Sequence, residues 1–215
     1  MIEAVIWDFG GVLTTSPFEA FARFETERGF PRDIIRRTNA ASHFENAWAK
    51  FERAEVDLDT FDKLFAAESL ALGAEVRGRD VVQLLSGDPR PDVVEALRRV
   101  KQHFKTGCIT NNLPANAIGS SVGRGLYVAE TMALFDHVIE SAKIGLRKPD
   151  PRIYRMMVEA LDVDPNNCVY LDDLGVNLKP ARDMGMTTIK VIDGPQAIRE
   201  LEEATGLVLG SGARA

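Results

Sequence analysis

The chain has 215 residues, of which 45 % are hydrophobic and 27 % charged, enough apolar material for one sizeable core or for a core with an insertion. A formal net charge of −6 offers no basic face to replace the counterions of nucleic acid, yet a small phosphorylated ligand needs only one or two local cations. No apolar run is long enough to span a bilayer and no basic segment precedes an apolar one at the N-terminus, so the expectation is a cytoplasmic chain with no membrane or nucleic-acid partner.

In chain order, the first apolar run is AVIW, residues 4–7, and it stops at Asp8, Phe9, Gly10 and Gly11. A carboxylate at that place either caps a turn or is aimed into a site, because burying it unpaired costs several kcal/mol, roughly. The region from Pro17 to Asp88 is different in character. FEAFARFETERGF, FENAWAKFERAEV and LDTFDKLFAAESLALG carry apolar residues at helical spacing and no strand pattern, which predicts a helical insertion. Phe18, Phe21, Phe24 and Phe44 read as the core of that insertion. Trp48 reads either as packing within it or as a contact to a substrate's organic part. A Gly-Pro turn, GDPRPD, closes the region.

From there strands and helices alternate. PDVVEALRRVKQHF has a proline and an acid in its first turn and basic residues near its end, the signature of a helix. GCI leads to Thr110, Asn111 and Asn112. IGSSVGRG lacks the Lys-Ser/Thr ending of a phosphate loop and reads as a flexible connection. HVIES is a strand, PRIYRMMVEALDV a helix, CVYL a strand ending at Asp172 and Asp173, NLKPARDMGM a helix stopped at Gly185, TTIKVI a strand and PQAIRELEEATG a helix. The tail after residue 210 reads as disordered. Such alternation predicts an α/β fold with a parallel sheet covered by helices on both faces. Cys108 and Cys168 each lie in an apolar run and read as buried strand residues rather than a disulfide or metal pair. His43, His103 and His137 show no ligand spacing.

In a parallel sheet, ligands gather beyond the carboxyl ends of the strands. Asp8, Thr110 with its two asparagines, and the Asp172–Asp173 pair all follow apolar runs, and Lys148 sits in GLRKPDP just before a helix. Gathered carboxylates repel one another unless a hard divalent cation such as Mg²⁺ holds them. Thr110, Lys148 and backbone N–H groups at Gly10 and Gly11 suit a phosphate beside that cation. Asp8 can then attack phosphorus and form an acyl phosphate for water to hydrolyse. Taken singly, each feature has a plainer use: a cap, a turn or a surface lysine.

WDFGGVL, CITNN, GLRKPDPRIY and VYLDDLGVNLKPARDMGM, taken together, resemble the four motifs of the haloacid dehalogenase superfamily. The likeness is strongest to the N-terminal phosphatase-like domain of bifunctional soluble epoxide hydrolases. The resemblance implies a Rossmann-like core over residues 1–16 and 89–210 with an inserted helical cap over 17–88. It implies Asp8 as nucleophile and metal ligand, Gly10 giving its carbonyl to the metal, and Thr110 and Lys148 on the phosphate. It also implies Asp173 as a direct ligand, Asp172 acting through water, and Asn177 as an orienting residue. Gly11 and Asn111 complete the expected substrate-binding set.

One position departs from the family's phosphatase pattern. Gly10 stands where a second aspartate serves as acid and base, and losing a positioned acid costs about 10²–10⁴ in rate. The expectation is a Mg²⁺-dependent hydrolase of a small phosphorylated metabolite, with leaving groups such as anomeric or acyl phosphates suiting Gly10 best. Two rivals stand beside it: a metal-free 2-haloacid dehalogenase, and a protein that binds a phosphorylated ligand or a partner with little turnover. Oligomeric state is left open, a homodimer included.

Overall fold

The protein is described here from a computed structural model covering residues 1–114 and 122–210, with side chains described throughout except at 122–124. Five strands form one sheet: β1 (Ala4–Trp7), β2 (Lys105–Thr110), β3 (His137–Glu140), β4 (Cys168–Asp172) and β5 (Thr187–Lys190). Their spatial order is β3-β2-β1-β4-β5 and every pairing is parallel. This is the parallel α/β architecture that the alternation predicts and the Rossmann-like core that the resemblance implies.

Successive side chains of a strand face opposite ways, and the two cores follow that period. Val5 and Trp7 of β1 and Val169 and Leu171 of β4 enter one core. There they meet α6 (Pro91–Val100) through Val93, Leu97 and Val100, and α11 (Gly194–Thr205) through Ala197 and Leu201. Ala4, Ile6, Cys168 and Tyr170 enter the other core, against Ile153, Tyr154 and Met157 of α9 (Pro151–Leu161) and Leu178 and Ala181 of α10 (Gly175–Asp183). Both faces are covered, which is why the strands are apolar throughout rather than alternating. Both cysteines are buried and free.

Between β1 and β2 lie α1 (Phe18–Arg28), α2 (Ile34–Ala40), α3 (Ala47–Glu52), α4 (Leu58–Ala71) and α5 (Gly78–Gln83). They share a third core built on Phe21, Ile34, Trp48, Phe51, Phe61 and Phe65, in which the Phe51 and Phe61 rings stack 4.3 Å apart. Asn46 caps α3 by accepting from the Ala49 amide at 2.8 Å, and its own Nδ2 donates to Ala41 O at 2.6 Å. The two chain crossings into the insert run side by side: Thr15 N donates to Asp88 O and Arg90 N to Leu13 O.

Several expectations need correction. Phe44 does not join the insert's core; it is 55 % exposed, because it precedes the Asn46 cap and lies outside α3. The helices α2 and α5 fall in stretches that periodicity passed over, since seven and six residues give too few turns to show a stripe. Val122–Gly125, read as part of a flexible connection, opens helix α7 (Val122–Met132); the rest of that segment, and the tail at 211–215, lie outside the described residues. Helix α10 begins at Gly175, two residues earlier than read, and ends before Gly185, whose φ of 98° fits only glycine comfortably. The β5 strand stops at Lys190, short of Asp193.

Candidate active site

Register assembles the site. Trp7 is paired with both Cys108 and Leu171, so Asp8 and Asp172, one residue beyond, and Thr110, two residues beyond, gather at the carboxyl edge. Asp8 is 7 % exposed and its amide donates to Leu171 O at 2.8 Å, extending the ladder by one rung. Asp8, Asp172 and Asp173 each bring a carboxylate oxygen to within 4.8 Å of the others. They are the cluster of potential metal-ligating side chains found among the described residues.

Lys148 arrives from the loop between the one-turn helix α8 (Ser141–Ile144) and α9 and is wholly buried. Its Nζ lies 2.8 Å from Asp8 Oδ1 and 2.7 Å from Asp172 Oδ2. Two carboxylates around one ammonium hold the Lys148 pKa above its ordinary value despite the burial that works against the charge. Its backbone is held as well: the Lys148 amide donates to Asn111 Oδ1 at 2.8 Å, and Asn111 Nδ2 donates to Lys148 O at 3.1 Å. The Asn111 side chain therefore clamps the lysine's peptide.

Asp172 is fully buried and surrounded by donors. Oδ2 accepts from Lys148 Nζ and from the Tyr170 hydroxyl at 2.6 Å, and Oδ1 accepts from the Leu174 amide at 2.8 Å. Asn177 Nδ2 lies 3.0 and 3.1 Å from the two oxygens. The Tyr154 hydroxyl in turn donates to Asn177 O at 2.6 Å, fixing the start of α10. Asp173, by contrast, sits over Gly11. A Cβ built there would overlap its carboxylate, with Oδ1 at 2.9 Å and Oδ2 closer, and φ of 77° disfavours any other residue. Gly10 lines the cavity and a Cβ on it meets no heavy atom within 4 Å.

Burial, then repulsion from Asp172 and Asp173, drives the Asp8 pKa well above the ordinary carboxylate range against the pull of Lys148. Asp173 is pushed up to about 6, by burial first and by Asp172 second. Such carboxylates are costly to ionise together without a cation, and their hard oxygen donors fit a hard divalent ion.

A cavity of about 770 Å³ opens over this edge, lined by Asp8, Gly10, Thr110 and Asp173 on its floor and by Phe18, Phe21 and Trp48 from the insert. Trp48 is thus both a packing residue, edge-on to Phe61, and a wall of the cavity. A second buried ion pair joins the insert to the loop before α9: Arg147 Nε donates to Glu52 Oε2 at 2.6 Å, and Arg147 Nη1 to His43 O at 2.8 Å. Trp48 Nε1 donates to Glu52 Oε1 at 2.8 Å, and the Ser141 hydroxyl to Glu52 O at 2.7 Å. Sequence reading missed Glu52, Arg147, Tyr154 and Tyr170. The one local signal was Tyr170, two residues before Asp172 and so on the same face of β4.

A parallel sheet in this order, an aspartate at the tip of its central strand, and a lysine and an acidic pair beside it define a class of hydrolases. A model of the family described as haloacid dehalogenase-like hydrolase matches residues 2–185, and the chain belongs to that family. Bifunctional epoxide hydrolase 2 of Sus scrofa is 32 % identical over 222 residues, covering 97 % of this chain and 40 % of that protein. The chain thus spans about two fifths of the length of that relative. A phosphatase of Mycobacterium tuberculosis is 30 % identical, covering 98 % of this chain and 99 % of its own. Among solved structures, a family enzyme of Bacteroides thetaiotaomicron in complex with magnesium and inorganic phosphate superposes with a TM-score of 0.59 at 15 % identity, covering 88 % of this chain and 93 % of its own. L-2-haloacid dehalogenase of Xanthobacter autotrophicus gives a TM-score of 0.59 at 21 % identity, covering 97 % and 86 %. Both structures share the fold.

Proposed function

We propose that the protein is a Mg²⁺-dependent phosphomonoester hydrolase acting on a small phosphorylated molecule through an aspartyl phosphate on Asp8. We read residues 17–88 as a cap over a core formed by 1–16 and 89–210. The observation that carries the reading is the convergence of Asp8, Asp172, Asp173 and Lys148 at one edge of the sheet, with Asp8 and Asp173 facing the cavity and Asp172 and Lys148 buried directly behind them. Asp8 and Asp173 would hold the ion, with the Gly10 carbonyl beside them. Asp172, already accepting from Lys148, Tyr170, Leu174 and Asn177, is left to act through water. When bound, magnesium would neutralise the carboxylates and polarise phosphoryl oxygens.

The chain's own groups do the rest. The Phe9 amide at 2.7 Å and Lys148 Nζ at 2.8 Å both sit on Asp8 Oδ1, which leaves Oδ2 for the attack on phosphorus. Lys148, held by Asp8, Asp172 and Asn111, balances the negative charge that accumulates there. Thr110 presents its hydroxyl from the end of β2, and the insert shields the site from water. A phosphatase of similar length among the relatives, and a phosphate complex among the structures, are consistent with this reading. The test is Asp8→Asn assayed against aryl phosphates with Mg²⁺: turnover is abolished while the circular dichroism spectrum is unchanged. Wild-type turnover in that variant refutes the nucleophile, and chelator-resistant consumption of 2-haloacids moves the assignment to carbon–halogen cleavage.

A further inference from the structure

We infer that the cavity accepts phosphoesters whose leaving oxygen departs as a stabilised anion, such as aryl, enol, acyl or anomeric phosphates, and discriminates against esters of simple alcohols. The inference rests on the phosphatase reading and comes from a census of protons. Among the described residues, the titratable side chains lining the cavity are Asp8, Glu52, Tyr127, Glu140 and Asp173.

None is placed to protonate a departing oxygen. Asp8 is the nucleophile and Asp173 belongs to the cation. Both oxygens of Glu52 are already accepting, from Trp48 Nε1 on one and Arg147 Nε on the other, so although burial raises its pKa neither oxygen is free to present a proton to the cavity. Glu140 accepts from Asn112 Nδ2 at 2.9 Å and pairs with Lys143. Tyr127 donates its hydroxyl proton to Leu13 O at 3.0 Å. Lys148 is wholly buried between two carboxylates. Residues 115–121, ANAIGSS, contain no carboxyl, imidazole, phenol, thiol or amine side chain that could serve instead.

The consequence follows from the first step. Asp8 Oδ2 forms a bond to phosphorus as the ester's phosphorus–oxygen bond breaks, and the leaving oxygen takes the bonding pair with no proton in place. A phenolate bears that charge with a conjugate-acid pKa of about 10, whereas an alkoxide is close in basicity to hydroxide and far harder to expel unprotonated. In the second step water attacks phosphorus, the aspartyl phosphorus–oxygen bond breaks, Asp8 is restored, and the water's proton passes to solvent. Only the first step depends on the leaving group, so kcat/KM reports it.

The structure also supplies the means of testing this, because a Cβ at Gly10 meets nothing within 4 Å and the residue lines the cavity. The experiment measures kcat/KM with Mg²⁺ for ethyl phosphate and a series of aryl phosphates of graded phenol acidity. Wild type, Gly10→Asp and Gly10→Asn are compared. The wild type is expected to hydrolyse phenyl phosphate about 10²–10⁴ times faster than ethyl phosphate, with a steep dependence across the aryl series. Gly10→Asp flattens that dependence by restoring a proton donor, and Gly10→Asn, of equal size, leaves it steep. A wild type that turns over ethyl phosphate within about ten-fold of phenyl phosphate overturns the inference and leaves the phosphatase reading standing. If Gly10→Asp does not fold, the wild-type series decides alone. Failure to hydrolyse any aryl phosphate, or activity surviving Asp8→Asn, overturns the phosphatase reading and this inference with it.

Discussion

Two adjacent glycines should respond in opposite ways to the same small change. Gly11 has a φ of 77°, and a Cβ there would overlap the Asp173 carboxylate; Gly10 has open space where its Cβ would be. Gly11→Ala must therefore hold alanine in the left-handed region, at about 1–2 kcal/mol. It must also drive the Asp173 carboxylate back by about an ångström, a displacement that costs on the order of 10²-fold in rate when it misplaces a reacting or ligating group. For a chain of this size the stability term corresponds to a fall in Tm of about 2–8 °C. Gly10→Ala needs no rearrangement, and its stability should stay within about 0.5 kcal/mol of wild type or rise. The assays are thermal and urea unfolding of both variants without metal, and calorimetric titration with Mg²⁺. Gly11→Ala should lose Mg²⁺ affinity while Gly10→Ala keeps it. Equal stability and equal Mg²⁺ affinity in the two variants would refute the role given to Gly11 as the seat of Asp173.

Three further predictions concern the buried charges. Lys148→Met leaves two buried carboxylates facing each other, so unfolding in urea should show a loss of about 3–5 kcal/mol, and a variant as stable as wild type would mean the ammonium is dispensable to the fold. The raised pKa of Asp173, about 6 against an ordinary 3.8, means that the folded protein binds that proton more tightly than the unfolded chain. Its contribution is most favourable below pH 4 and is lost as pH climbs through 6, by at most about 3 kcal/mol in the metal-free protein. The difference in stability between wild type and Asp173→Asn, followed by urea unfolding from pH 4 to 7, should change in that sense. Arg147→Met strands Glu52 without its partner at about 3–5 kcal/mol. Adding Glu52→Gln should recover part of that loss, and a double-mutant cycle showing strict additivity would rule out coupling.

Much of the fold could be read from the chain. AVIW, GCI and CVYL are short apolar runs that end in polar residues, and a strand covered on both faces has to look that way. Asp8, Thr110, Lys148 and the Asp172–Asp173 pair could be placed at one edge because parallel strands all present their carboxyl ends together. Local sequence also showed an insertion of helices, though short elements such as Ile34–Ala40 and Gly78–Gln83 carried too few turns to be seen. Phe44 was misjudged because its spacing matched a helical stripe, whereas the helix itself starts only after Asn46.

What only the tertiary structure decided is how the polar groups divide their hydrogen bonds. Asn111 clamps the peptide of Lys148, Asp172 accepts from four residues, and Glu52 is held by Arg147 from 95 positions away. No local pattern encodes such pairings, because each depends on strand order, on register and on where the insert settles against the sheet. Residue types and their order along the chain determined which groups reach the edge; three-dimensional packing determined which of them are already bonded and which remain free to react.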